Sequence, residues 1–123
     1  TGQMLRRQRP AGPVDFFMQC VGDSLAQITH ACPEALSGVE VGMEDVPDVT
    51  GQWSDRVPLA AAQEAVQGSP ARIVIFRRPV EHRATTRASL RRLVHSTLVE
   101  QVSALTGIPV ERIDPEGETD LDD

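Results

Sequence analysis

The sequence predicts a small α+β domain, a mixed β-sheet packed against an N-terminal helix and a long, largely buried C-terminal helix. Three observations carry this expectation. Residues 14–31 and 87–106 repeat apolar side chains at helical spacing. Residues 39–43 alternate at a period of two, and residues 71–76 form a short apolar run. A length of 123 residues suits one modest core and not two.

The elements follow in order. Residues 1–13 carry three arginines, break at Gly12 and Pro13, and are expected to form a flexible basic leader. The domain proper is expected over 14–114. In VDFFMQCVGDSLAQITHACP, Asp15 can cap a helix whose stripe is Phe17, Val21, Leu25 and Ile28. Gly22 weakens the middle of that helix, and Pro33 marks its exit. Val39, Val41 and Met43 alternate with Glu40, Gly42 and Glu44, the signature of a half-exposed strand stopped before Pro47. Between Pro47 and Pro70 turn signals dominate. A short strand at Val57 to Leu59 and an Ala-rich stretch are expected inside a functional or mobile loop. ARIVIFRRP gives a second strand, with Ile73 and Ile75 on one face and Val74 and Phe76 on the other, both faces covered, and Arg77 to Pro79 ending it. A loop, VEHRATT, then leads to the long helix, capped at Thr85 or Thr86 and stopped by Gly107 with Pro109 beyond. Leu90, Val94, Leu98, Val102 and Leu105 share one face, which Leu93, Val99 and Ala104 widen to more than half the circumference, so the helix should lie inside the fold. ERIDP adds a short helical turn, and residues 115–123 are expected to be a disordered acidic tail.

Composition narrows the function classes. Aromatic residues are 3% of the chain, so the core must be aliphatic. All twelve basic residues are arginine, which a GC-rich coding bias explains more simply than guanidinium chemistry. The acids of DPEGETDLDD supply the whole net charge of −6, the rest of the chain being balanced. No basic stripe studded with aromatics points to nucleic acid, and no apolar run is long enough for a membrane span. Cys20 and Cys32 do not form a CxxC pair and read as small buried hydrophobes. A cytoplasmic protein with reduced thiols is the expectation.

Recognisable catalytic chemistry is sparse. A zinc hydrolase places imidazoles and carboxylates on one helix face, as HExxH does, with the glutamate taking a proton from metal-bound water. His95 has Val99 four residues after it and Arg91 four before, neither a zinc ligand. His30, His82 and His95 share no face, and His95, at the border of the apolar stripe, reads as a satisfied, partly buried histidine. Neither GxGxxG nor GxxxxGK[ST] is present, so nucleotide binding has no support.

Certain segments nonetheless form a pattern: MEDVP at 43–47, VPL at 57–59, ARIVIFRRPVE at 71–81, and the long helix running into TGIPVERID at 106–114. The chain resembles the minimal zincin-like metallopeptidase family of bacteria over about residues 15 to 114. The resemblance implies a zincin-like fold, a zinc-dependent peptidase ancestry and a cytoplasmic setting. The family's motif, HExGHxxG, falls on the final helix. With its terminal Gly-Ile set on Gly107 and Ile108, the first histidine corresponds to Glu100, the catalytic glutamate to Gln101 and the second histidine to Ala104. Sliding by one residue gives Val99, Glu100 and Ser103. Neither register supplies a histidine, so no metal and no cofactor is expected, and a pseudoenzyme that binds or scaffolds is. The resemblance implies that Arg72, Val74 and Phe76 lie on a strand edge beside that helix, where an extended peptide or protein partner would add a strand. The groove is otherwise plugged by the 47–70 loop. Two rivals stand beside this reading. One is an active peptidase holding zinc with rebuilt ligands from His95, Glu100 and His82. The other is an interaction protein that works through its charged ends.

Overall fold

The computed structural model describes residues 12–47 and 57–117. Helix α1 spans Pro13–Ala31, with Gly12 at its N-cap and Pro13 in its first turn. A proline there loses no hydrogen bond, because the first amides of a helix have no intrahelical acceptor. The helix thus begins earlier than the sequence suggests. Asp15 is not the cap but lies inside the first turn, where its charge is favourable at the positive end of the helix dipole. Phe17, Cys20, Ser24 and Ile28 form the buried stripe, and Val21 and Leu25 pack beside it half-buried. After a 3₁₀ turn at Pro33–Leu36 comes β1, Val39–Glu44.

The sheet has three strands in the order β1-β3-β2, with β2 at Ala60–Gln63 and β3 at Ala71–Phe76. β1 runs parallel to β3, Val41 opposite Ile73, and β2 runs antiparallel to it, Ala62 opposite Ile73. The sheet is mixed, as expected, but β3 is its central strand and both of its edges are paired. This corrects the expected edge at Arg72 to Phe76: the Ala-rich stretch of unassigned state forms the strand that occupies it. The strand expected at 57–59 lies instead at 60–63. Alanine disfavours strands, so pairing with the apolar β3 decides the outcome. Ile73 and Ile75 are fully buried on the inner face. On the outer face Phe76 is buried, Val74 half-buried and Arg72 exposed, so that face is covered only in part.

Arg77–Arg83 forms a short helix, α2, where a loop was expected. Pro79 falls in its first turn, which a proline tolerates, so the RRP sequence ends the strand and starts a helix. Arg77 stabilises the corner: its guanidinium donates to Asp45 and to Glu81, each at 3.0 Å, and these carboxylates push its pKa further up.

Helix α3, Arg87–Thr106, is closed at its start by a reciprocal pair, the Thr86 hydroxyl accepting from Ser89 N and Ser89 Oγ accepting from Thr86 N. Gly107, at φ 80°, ends it in the left-handed conformation. Leu90, Val94, Leu98, Val99 and Val102 are buried, and so is Thr97, while Ala104 is exposed and Leu93 half-buried. The helix is therefore not apolar all round: it keeps an open strip. It packs against α1 on one side and against β2 and β3 on another. A last helix, α4, spans Val110–Ile113 and rests on α1 and α3. Residues 1–11 of the expected leader, 48–56 of the expected loop and 118–123 of the expected tail lie outside the described residues. No helix among the described residues is long and apolar enough to cross a membrane.

Candidate functional site

α3 turns about 100° per residue, so positions four apart lie on nearly one line. Glu100 and Ala104 are such a pair, and both are exposed; Gln101, one step round, is half-buried. The one-residue alternative behaves differently. Val99 is only 1% exposed, and Ser103 donates its hydroxyl to the Ile108 carbonyl at 2.7 Å. A metal site that admits water and substrate must open to a cleft. Of the two registers, only the one that places the motif on Glu100, Gln101 and Ala104 faces outward.

The three side chains at that register are a carboxylate, a primary amide and a methyl group. Zinc takes thiolate, imidazole or carboxylate donors, so the set supplies one ligand and no second. The resemblance implies a metal, and these residues do not fit it. Nor does the fold collect ligands from elsewhere: among the described residues no group of three His, Cys, Asp or Glu is placed to hold an ion. The rebuilt set of His95, Glu100 and His82 is not brought together. His95 lies about 140° round α3 from Glu100, and His82 lies in α2 beside Arg77, Arg78 and Glu81.

His95 has other partners. Ser24 Oγ on α1 lies 2.7 Å from its Nδ1, and Asp114 Oδ1, just past α4, lies 3.4 Å from its Nε2. The residue is partly buried, as the sequence suggests, but only half satisfied: Nδ1 has Ser24, while the buried Nε2 has no hydrogen-bond partner. Ser24 and Asp114 were missed, for Ser24 is 71 residues away and no local pattern joins them. A serine, a histidine and an aspartate in a row invite comparison with a hydrolytic triad, but the surroundings differ. Ser24 is buried mid-helix, where substrate has no path and neighbouring amides are bonded within the helix. A triad needs an open nucleophile and free donors for the oxyanion.

The other expected site residues lie on the sheet. Arg72 and Val74, with Ala61, Ala62 and Gln63 of β2, line a shallow depression. The guanidinium of Arg72 passes over Gly42, where a Cβ would come within 3.7 Å of it. Phe76 is buried and does not contribute to that surface. Among the described residues the sheet ends at β2, whose Ala61 to Gln63 are exposed.

Burial pushes the thiols of Cys20 and Cys32 up from their usual range; both are free and enclosed. They behave as core residues. A family model described as zincin-like metallopeptidase matches residues 26–118. No curated protein matches the chain.

Proposed function

The chain belongs to the zincin-like metallopeptidase family, and from that premise we propose that it is a non-catalytic member, a binding or scaffolding module that keeps the peptidase helix without its metal. One observation carries the proposal. The outward strip of α3 presents Glu100 and Ala104 where the family motif has its two histidines, and Gln101 where it has its base. Without a bound cation nothing acidifies a water, and a carboxamide cannot accept its proton near neutral pH.

The same strip supports a binding role. α3 packs against β2, and Glu100 and Ala104 point about 140° and 180° away from His95, which faces α1. Among the described residues nothing pairs with the outer edge of β2, which is short, uncharged from Ala60 to Ala62 and free of proline, features that suit pairing with another chain. An extended peptide would add there, beside β2 and not beside β3.

Metal content tests the reading. The untagged protein is loaded with zinc, dialysed, and analysed by mass spectrometry beside Glu100→Ala and His95→Ala variants. The expected result is zinc far below one per chain in all three. One tightly held zinc per chain that disappears in either variant, with peptidase activity that disappears alongside it, would establish an active enzyme instead.

A further inference from the structure

Among the described residues, Asp114 is the buried side chain with both of its polar atoms unpartnered. Its side chain is 1% exposed, and neither carboxylate oxygen accepts a hydrogen bond. The nearest donor, His95 Nε2, stands at 3.4 Å, beyond the usual 2.7 to 3.2 Å of an N–H···O bond, and is itself unpartnered. Ser24 holds the other ring nitrogen, so the imidazole is already fixed. A buried carboxylate in this condition gives up its hydration for little return.

The segment that carries it is lightly attached. α4 is only four residues long, too short to persist by itself. It lies between Gly107 at φ 80° and Gly117 at φ 70°, two glycines in the left-handed region. Ile113 is buried and anchors it to α1 and α3. The Arg112–Glu34 ion pair lies on the surface, where such pairs contribute little. The apolar anchor therefore favours closure, and the carboxylate buried beside it opposes closure.

We propose that residues 109–117 form a strap poised to open as a unit, with the Asp114 carboxylate the group that keeps it poised. Opening hydrates Asp114 and withdraws Ile113 from the core. It uncovers Ser24 and His95 on the facing sides of α1 and α3 while the α1–α3–sheet core stays folded. Regions held by few contacts open in this way, well below the free energy of global unfolding. The inference rests on the fold and is independent of whether zinc binds.

Hydrogen exchange followed by mass spectrometry on the full chain tests it. The hydrogen-bonded amides of Arg112, Ile113, Asp114 and Gly117 should exchange at least about tenfold faster than those of Val94 to Val102 in α3. Asp114→Asn keeps the shape and removes the charge, so strap exchange should slow about three- to tenfold. Ile113→Ala should speed strap exchange while Val94 to Val102 keep their wild-type rates. The proposal is overturned if Asp114→Asn exchanges at the wild-type rate or faster, or fails to fold, because the charge would then be neutral to closure or needed for it. It is equally overturned if Ile113→Ala speeds α3 as much as the strap, since the two would then be one unit.

Discussion

Writing the family's motif onto α3 tests which side chains that helix offers to solvent. The perturbation is Glu100→His, Gln101→Glu and Ala104→His together, set against Val99→His with Ser103→His, the same ligands one residue earlier. In the first variant two of the three positions are exposed, where substitutions usually stay within about 0.5 kcal/mol. Replacing alanine by histidine adds a helix-propensity cost of up to about 0.7 kcal/mol. The total loss should remain under about 2 kcal/mol. In the second variant Val99, 1% exposed, gives up about 1.5 to 3 kcal/mol of apolar burial. An imidazole there lacks partners, at about 1 to 3 kcal/mol more, and Ser103 loses its 2.7 Å bond to Ile108 at about 1 kcal/mol. A loss of about 4 kcal/mol or more is a large fraction of the roughly 5–15 kcal/mol that holds a domain folded. The assay is urea denaturation with and without zinc. Zinc at a hundredfold over its Kd should stabilise the first variant by about 2.7 kcal/mol and leave the wild type unmoved. Equal stability of the two variants would refute the outward register and the cleft it implies.

Three further outcomes follow from individual contacts. Gly107→Ala should cost about 1 to 2 kcal/mol in urea denaturation, because φ 80° is strained for any side chain although nothing stands within 4 Å of the added Cβ. Glu34 has its carboxyl held below the usual carboxylate range, first by its own backbone amide, next by the Cys32 thiol and then by Arg112. A lowered native pKa means stability that is present above the unfolded value near 4.5 and lost as pH falls through the native one, so Glu34→Gln should flatten that acid limb of a stability–pH curve. Cys20 and Cys32, buried and with raised pKa values, should react with a thiol reagent at least about a hundredfold more slowly in the native protein than in urea, and equal rates would show that the core is open.

Most of the framework was legible wherever hydrophobic period and local punctuation agree. The stripe through Phe17 and Ile28, the alternation from Val39 to Met43, and the stop at Gly107 each state their element within a few residues. What escaped depended on partners distant in sequence. Ala60 to Gln63 has weak strand preference and pairs because β3 offers an apolar ladder, and that pairing turns the expected edge strand into the central one. Pro79 was a stop signal for the strand and, three-dimensionally, a tolerated first-turn residue of α2. Ala104 looked like core by its chemistry, but a methyl group specifies neither side, and the position lies on the open strip. The contact of Ser24 with His95 spans 71 residues and left no trace in spacing.

Under the proposed reading, the separation of faces on α3 explains how a peptidase helix would lose its chemistry and remain. Leu90, Val94, Leu98 and Val102 face the core, fully or nearly fully enclosed, and meet Ile73, Ile75 and Ile113 in one aliphatic cluster. The motif register lies on the other side, where Glu100 and Ala104 touch solvent. Burial of the first set supplies the folding energy, at roughly 25 cal/mol per Å² of apolar surface. The second set contributes almost nothing to it. Selection on the fold therefore does not constrain the motif positions, and ligands there drift as soon as catalysis ceases to be selected. A structural zinc site would behave in the opposite way, because its metal supplies folding free energy and loss of one ligand unfolds the chain. Here an aliphatic core supplies that folding energy. The same separation accounts for why the family remains readable in residues 26–118 while the motif does not.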